Sequence, residues 1–127
     1  MMNVILSIKP QFVEEIMAGR KRFEFRIKGF KRQVRKVYIY ASSPVCKIVG
    51  EFDLGEVIEG EPSDIWRQTK DYSGISKTFF DEYFNNRQIG FALEIKRFKQ
   101  YSIPIDPYSL IFGFHAPQSF CYTESNL

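Results

Sequence analysis

Lysine, glutamate and arginine stand at positions 21, 24 and 26 of the segment GRKRFEFR, residues 19–26. Side chains two apart on an extended strand share a face, so Glu24 and Arg26 point the same way. Lys21 precedes them at a turn from which its long side chain could swing to that face. An ammonium, a carboxylate and a planar guanidinium together could bind a nucleobase edge and a phosphate, or position a water and transfer its proton. The same trio, if exposed, would be an ion-pair cluster worth little.

Other chemistries find less support. The single histidine, His115, lies in FGFHAPQSF with no serine-centred elbow nearby, so no Ser-His-Asp triad is expected. GxxxxGK[ST] is absent, and no Gly-rich dinucleotide fingerprint follows a strand. Two cysteines, Cys46 and Cys121, and one histidine do not readily supply a four-ligand zinc site. The cysteines read as reduced, small buried hydrophobes of a cytoplasmic protein. We therefore expect no metal and no cofactor. No apolar run approaches the roughly 20 residues of a membrane span, and MMNVILSIKPQF lacks the basic lead of a secretory signal.

Charge is unevenly spread along the 127 residues. Residues 1–50 carry 11 Lys/Arg against 3 Asp/Glu, residues 51–95 carry 4 against 10, and the remainder is nearly balanced. A basic block between Arg20 and Lys36 suits a polyanion, because its contacts to phosphates release counterions. It could equally solvate a strand edge or pair with the acidic middle. Hydrophobic residues make up 44% and aromatic residues 17%, enough ring area for a dense core in one domain over residues 1–127.

The elements that must position the trio follow from periodicity. Val4, Leu6 and Ile8 alternate in a first strand, residues 3–8. Pro10 opens a short helix carrying Phe12, Val13, Ile16 and Met17, with Gly19 at its C-terminal cap. Residues 21–27 alternate again, with Phe23, Phe25 and Ile27 on one face and Arg22, Glu24, Arg26 and Lys28 on the other. A basic loop follows at 28–34. Residues 36–42 (KVYIYAS) read as a strand buried on both faces, and 46–59 as a long strand bent near Gly50 and Gly55. Pro62 and Ser63 open a helix with Ile65 and Trp66. Ser76 caps another, whose Phe79, Phe80, Tyr83 and Phe84 form an apolar stripe. Residues 89–98 alternate with Ile89, Phe91, Leu93 and Ile95 inward. Pro104 and Pro107 break the chain, and Ser119–Tyr122 supply a last strand. This order favours an α+β, mainly β fold: a curled mixed β-barrel with short flanking helices.

LSIKP at Leu6–Pro10, the Gly-x-Lys-x-x-Glu-x-Arg pattern at Gly19, Lys21, Glu24 and Arg26, VYIYASSPV at Val37–Val45 and VGEF at Val49–Phe52 resemble an ASCH domain of the PUA-like superfamily. GISKTFFDEYF at Gly74–Phe84 and APQSFCY at Ala116–Tyr122 are similar to one branch of it. The resemblance implies a PUA-like barrel with a cleft beside the N-terminal helix, lined by Lys21, Glu24 and Arg26. RNA or a modified nucleoside or nucleotide is the implied partner, and members of this branch are labelled predicted transcriptional regulators. Some ASCH proteins deacylate N4-acetylcytidine. This chain resembles them at Lys21 and Arg26 but has Glu24 where they carry a nucleophilic threonine, and only Asp71 near a further family carboxylate.

Three readings follow. The first is an RNA- or nucleotide-binding module, regulatory in role. Lys9, Lys21, Arg26, Lys31 and Arg32 meet phosphate, Glu24 accepts a base N–H, and Tyr40 or Trp66 supplies a stacking ring. The second is a small hydrolase of an acylated nucleoside or RNA, with Glu24 as general base and Lys21 stabilising the oxyanion. The third is a protein-interaction adaptor. Membrane association is not expected in any of them.

Overall fold

The computed structural model describes residues 1–127. Strand β1 (Met2–Ile8) leads into helix α1 (Pro10–Met17), which ends just ahead of Gly19 as its pattern predicts. Strand β2 (Phe23–Arg26) is shorter than the alternation at 21–27, and Lys21 instead forms an isolated bridge with Ser73. Strands β3 (Val34–Ala41) and β4 (Lys47–Gly60) follow. Helices α2 (Pro62–Thr69) and α3 (Lys77–Tyr83) flank a single 3-10 turn at Lys70–Tyr72. Strand β5 (Gly90–Ile105), a one-turn helix α4 (Pro107–Leu110) and strand β6 (Phe120–Thr123) complete the chain.

All six strands form one mixed sheet in the order β2-β5-β4-β3-β1-β6, curled into a half-barrel. Only β1 and β3 run parallel, joined by the crossover through α1 and β2. The other pairs are antiparallel. Curling needs bends in the long strands. The β4–β5 register shifts between Ile48 and Gly50 and again between Leu54 and Val57. A Cβ at Gly50 would lie 2.6 Å from the Lys99 carbonyl oxygen, so only glycine permits this approach of the two backbones.

Both faces of β1 and β3 are buried, as the continuous apolar run of β3 predicts. Val4, Leu6 and Ile8 pack with Val37 and Ile39 beneath Val13 and Ile16 of α1. On the opposite face Ile5, Tyr38, Tyr40 and Ile48 form a second cluster under the chain after β5. A third cluster joins Phe25 and Ala92 to Ile65, Phe80 and Phe84 from α2 and α3. The apolar stripe of α3 is therefore core, and Ser76 caps that helix by accepting from the Phe79 N–H.

Strand β5 departs from expectation at both ends. Ile89 is exposed, and the strand begins at Gly90. Ala92 and Leu93, adjacent in sequence, are both buried because β5 lies inside the sheet with both faces covered. Pro104 does not break the strand. Gly50 pairs with Gln100 and Ile48 with Ile105, so residues 101–104 bulge from the ladder, where a missing N–H costs nothing. No helix is long and apolar enough to cross a membrane.

Candidate functional site

A cleft of about 890 Å³ opens where the C-terminal ends of β1 and β3 meet β2, α1 and α3. Its size suits a drug- or nucleotide-sized ligand. Lys21, Glu24 and Arg26 all line it. They are not an exposed trio: Lys21 is 2%, Glu24 6% and Arg26 8% exposed.

Glu24 is the centre of the cluster. Its Oε1 lies 3.3 Å from Lys21 Nζ and its Oε2 2.5 Å from Arg26 Nη2. Two cations therefore flank one carboxylate, as a buried charge requires. Lys21 Nζ also donates to the Ser73 carbonyl at 3.0 Å and lies 4.7 Å from the centre of the Phe25 ring. Phe12 on α1 and Phe79 on α3 meet edge-on at 5.0 Å; the Phe12 ring centre is 5.7 Å from Lys21 Nζ. Burial pushes the Lys21 ammonium below its ordinary 10.5, against the pull of Glu24.

The Ser73 contact depends on the next residue. Gly74 has φ +64°, and a Cβ there would stand 2.3 Å from Lys21 Cβ. Glycine thus lets the chain after the 3-10 turn press directly on Lys21. Arg22 holds the same segment from outside: its N–H donates to the Tyr72 carbonyl at 2.8 Å, and its guanidinium lies 4.2 Å from the Tyr72 ring centre.

Arg26 reaches across the open side of the half-barrel. Nη2 donates to the Ser7 carbonyl at 2.8 Å, and Nη1 to Ser119 Oγ at 3.1 Å. Nε is buried and has no partner. A guanidinium offers five N–H donors in a fixed fork, so Arg26 keeps donor capacity beyond its structural contacts.

Five cations line the cleft, Lys9, Lys21, Arg26, Lys28 and Arg87, against the single carboxylate of Glu24. Lys9, Lys28 and Arg87 are exposed. Lys9 Nζ stands 5.7 Å from the centre of the Phe79 ring. Tyr40 lies at the far end, its hydroxyl 3.2 Å from that of Tyr108. Burial first, and then the Tyr108 contact, push its phenol upward, and burial does the same for Tyr83. Both stay neutral hydrogen-bonding groups at physiological pH.

The structure thus brings Lys9, Lys21, Glu24, Arg26 and Tyr40 together and leaves three expected residues outside. Trp66 packs on Phe80, ring centres 4.9 Å apart, in the core beneath α2. The Lys31 N–H donates to the Tyr122 hydroxyl, and the Arg32 guanidinium lies 5.4 Å from the Tyr122 ring. That loop turns toward β6, away from the cleft mouth, because β3 must run back along β1. Of the basic block, Arg20, Lys21, Arg26 and Lys36 form ion pairs, with Glu15, Glu24 and Glu51. Lys36 alone pairs with the acidic middle, through Glu51 at 2.6 Å; the other three pair within residues 1–50. Asp71 is exposed on the 3-10 turn and does not line the cleft. The cleft also takes in Lys28, Arg87 and Ser119, which are not among the candidate site residues of the sequence. Lys28 extends the Glu24–Arg26 alternation and was legible on that ground; Arg87 and Ser119 arrive only through tertiary packing.

No group of three or more His, Cys, Asp or Glu side chains is placed to hold a metal ion. His115 is exposed, and both cysteines are free and half-buried. The ASCH domain family model matches residues 6–99, which include the end of β1, α1, the whole Lys-Glu-Arg cluster and most of the sheet. The chain belongs to the ASCH domain family. A crystallised ASCH protein from Zymomonas mobilis superposes with a TM-score of 0.87 at 22% identity, covering 95% of this chain and 87% of that one. The half-barrel is therefore the PUA-like ASCH fold. An ASCH domain-containing ribonuclease of Zymomonas mobilis is 24% identical over 127 residues, covering 94% of this chain and 83% of its own length. Large ribosomal subunit protein uL22 of Ureaplasma parvum is 38% identical over 94 residues. This ASCH chain spans 29% of that protein's length.

Proposed function

We propose that this ASCH domain binds single-stranded RNA, taking one nucleotide into the cleft. The observation that carries the reading is the composition of the cleft: five cations and one carboxylate around a space walled by Phe12, Phe79 and Tyr83. Exposed Lys9, Lys28 and Arg87 meet the phosphates. The rings take the base, and Glu24 retains lone pairs to accept a base N–H. The ribonuclease name of the Zymomonas relative supports an RNA ligand. Titration with short RNA at two salt concentrations tests this. Affinity should fall with salt at a slope of about −0.7 per neutralised phosphate, and Lys28→Ala with Arg87→Ala should flatten that slope. Salt-independent binding of a free nucleoside would instead make the cleft a small-molecule pocket.

A second reading, RNA or acyl-nucleoside hydrolysis, is favoured by the 3.3 Å contact of Lys21 Nζ with Glu24 Oε1 inside the cleft, an acid–base pair in which burial makes the ammonium a readier proton donor. Glu24 is then the general base toward water. Glu24→Gln would abolish turnover while leaving RNA affinity largely intact. Turnover unchanged in Glu24→Gln would remove this role.

A further inference from the structure

The segment between β5 and β6 carries large side chains that the fold does not use. Leu110 and Phe112 are exposed, Phe112 completely. This segment is also a wall of the cleft: Tyr108 lines it on one side of Phe112, and residues 116–120 line it on the other. Between them the Phe114 ring packs edge-on against Tyr108 at 4.9 Å and stands 5.8 Å from the Tyr40 ring. Two residues of chain span at most about 7 Å, so the Phe112 backbone lies within about 7 Å of that of Phe114, whose ring packs against Tyr108 and Tyr40, two residues that line the cleft.

A fully exposed phenylalanine contributes nothing to the core, and its hydration is unfavourable. Beside a cationic cleft, a free aromatic face is what a neighbouring nucleobase would cover, since every base offers a π-face. The rim provides the order such a strand needs, with cations inside and a bare ring outside.

We propose that Phe112 is a stacking subsite for the nucleotide adjoining the one held in the cleft, so that the domain reads at least two consecutive nucleotides of a single strand. This rests on the RNA-binding reading and adds to it a strand path over the segment between Tyr108 and Ala116. Leu110 beside it extends the apolar rim.

The test compares adenosine 5′-monophosphate with the tetranucleotide of oligoadenylate, by calorimetric titration of wild type, Phe112→Ala and Phe112→Trp. The tetranucleotide should bind wild type more tightly than the mononucleotide. Phe112→Ala should weaken tetranucleotide binding by about fivefold or more and leave mononucleotide binding unchanged. Phe112→Trp should restore it, and the melting temperature should be the same in all three because the ring is outside the core. Equal tetranucleotide affinity in wild type and Phe112→Ala, with the mononucleotide still bound, would overturn the stacking subsite alone. Loss of concentration-dependent self-association in Phe112→Ala with RNA affinity unchanged would reassign the ring to a protein contact. Failure of wild type to bind either ligand would overturn the RNA-binding reading and the subsite with it.

Discussion

The guanidinium of Arg26 on β2 lies 2.8 Å from the carbonyl oxygen of Ser7 on β1. These strands belong to opposite ends of the sheet: β2 is one edge, and β1 is next to the other. No backbone ladder joins them. Arg26 bridges the opening with its side chain, holding Ser7 and Ser119 on one side and Glu24 on the other. The cluster that lines the cleft is therefore also what closes the half-barrel around it.

Removing Glu24 should be costly. Glu24→Ala would leave Lys21 and Arg26 buried with no carboxylate between them, and breaking a buried ion cluster in this way destabilises by about 3–5 kcal/mol. Urea unfolding measures it. Stability within about 1 kcal/mol of wild type would mean that water enters the cleft freely enough to screen the cluster.

Lys21 should titrate below its ordinary 10.5, because burial opposes its charged form more than Glu24 favours it. Between the folded pKa and 10.5 the unfolded chain binds more protons than the native one. Lys21 therefore makes stability rise with pH in that window. The difference in unfolding free energy between wild type and Lys21→Met should shift in favour of wild type as pH rises through it. NMR titration of the Lys21 side chain reads the pKa directly, and a value at or above 10.5 would contradict its burial.

Gly74→Ala should destabilise the fold by more than about 1 kcal/mol, since it places a Cβ at φ +64° against Lys21 Cβ. It should also raise the pKa of Lys21 by opening its surroundings to water. A neutral effect on both would mean that the segment after the 3-10 turn yields without disturbing Lys21.

Phe80→Ala should cost about 3–5 kcal/mol, as large-to-small core changes do. Phe80 is buried between Phe25, Trp66 and Phe84. Near-wild-type thermal stability would make α3 a surface element.

The first strand, the helix after it and the shared face of Glu24 and Arg26 were legible because each is a local pattern: period two, Pro10 at a helix start, then period two again. Burial of the cluster was not legible. Its covers come from far along the chain: Ser73 lies 52 residues from Lys21, and Ser119 93 residues from Arg26. A charged alternation reads as a solvated face until those segments are in place. Lys31, Arg32 and Trp66 fail as cleft residues for the same reason. Charge density and ring type are properties of the sequence, but which side of the sheet they reach is decided by the return of β3 and the docking of α2. Pro104 misleads in the opposite sense, since a bulge in β5 accommodates it within the strand.

On the proposed function, RNA enters the cleft built on Lys21, Glu24 and Arg26. The Arg26 Nε–H is its most direct reporter, being buried, unpartnered and part of the guanidinium of a residue that lines the cleft. Its 15N resonance should be followed while single-stranded oligoadenylate is added to the wild-type protein. RNA bound in the cleft should give a saturable shift of that resonance together with the backbone amides of Lys28 and Ser119. Shifts confined to residues 31–35 or to α2, with the Arg26 resonance unmoved, would place the ligand elsewhere and contradict it.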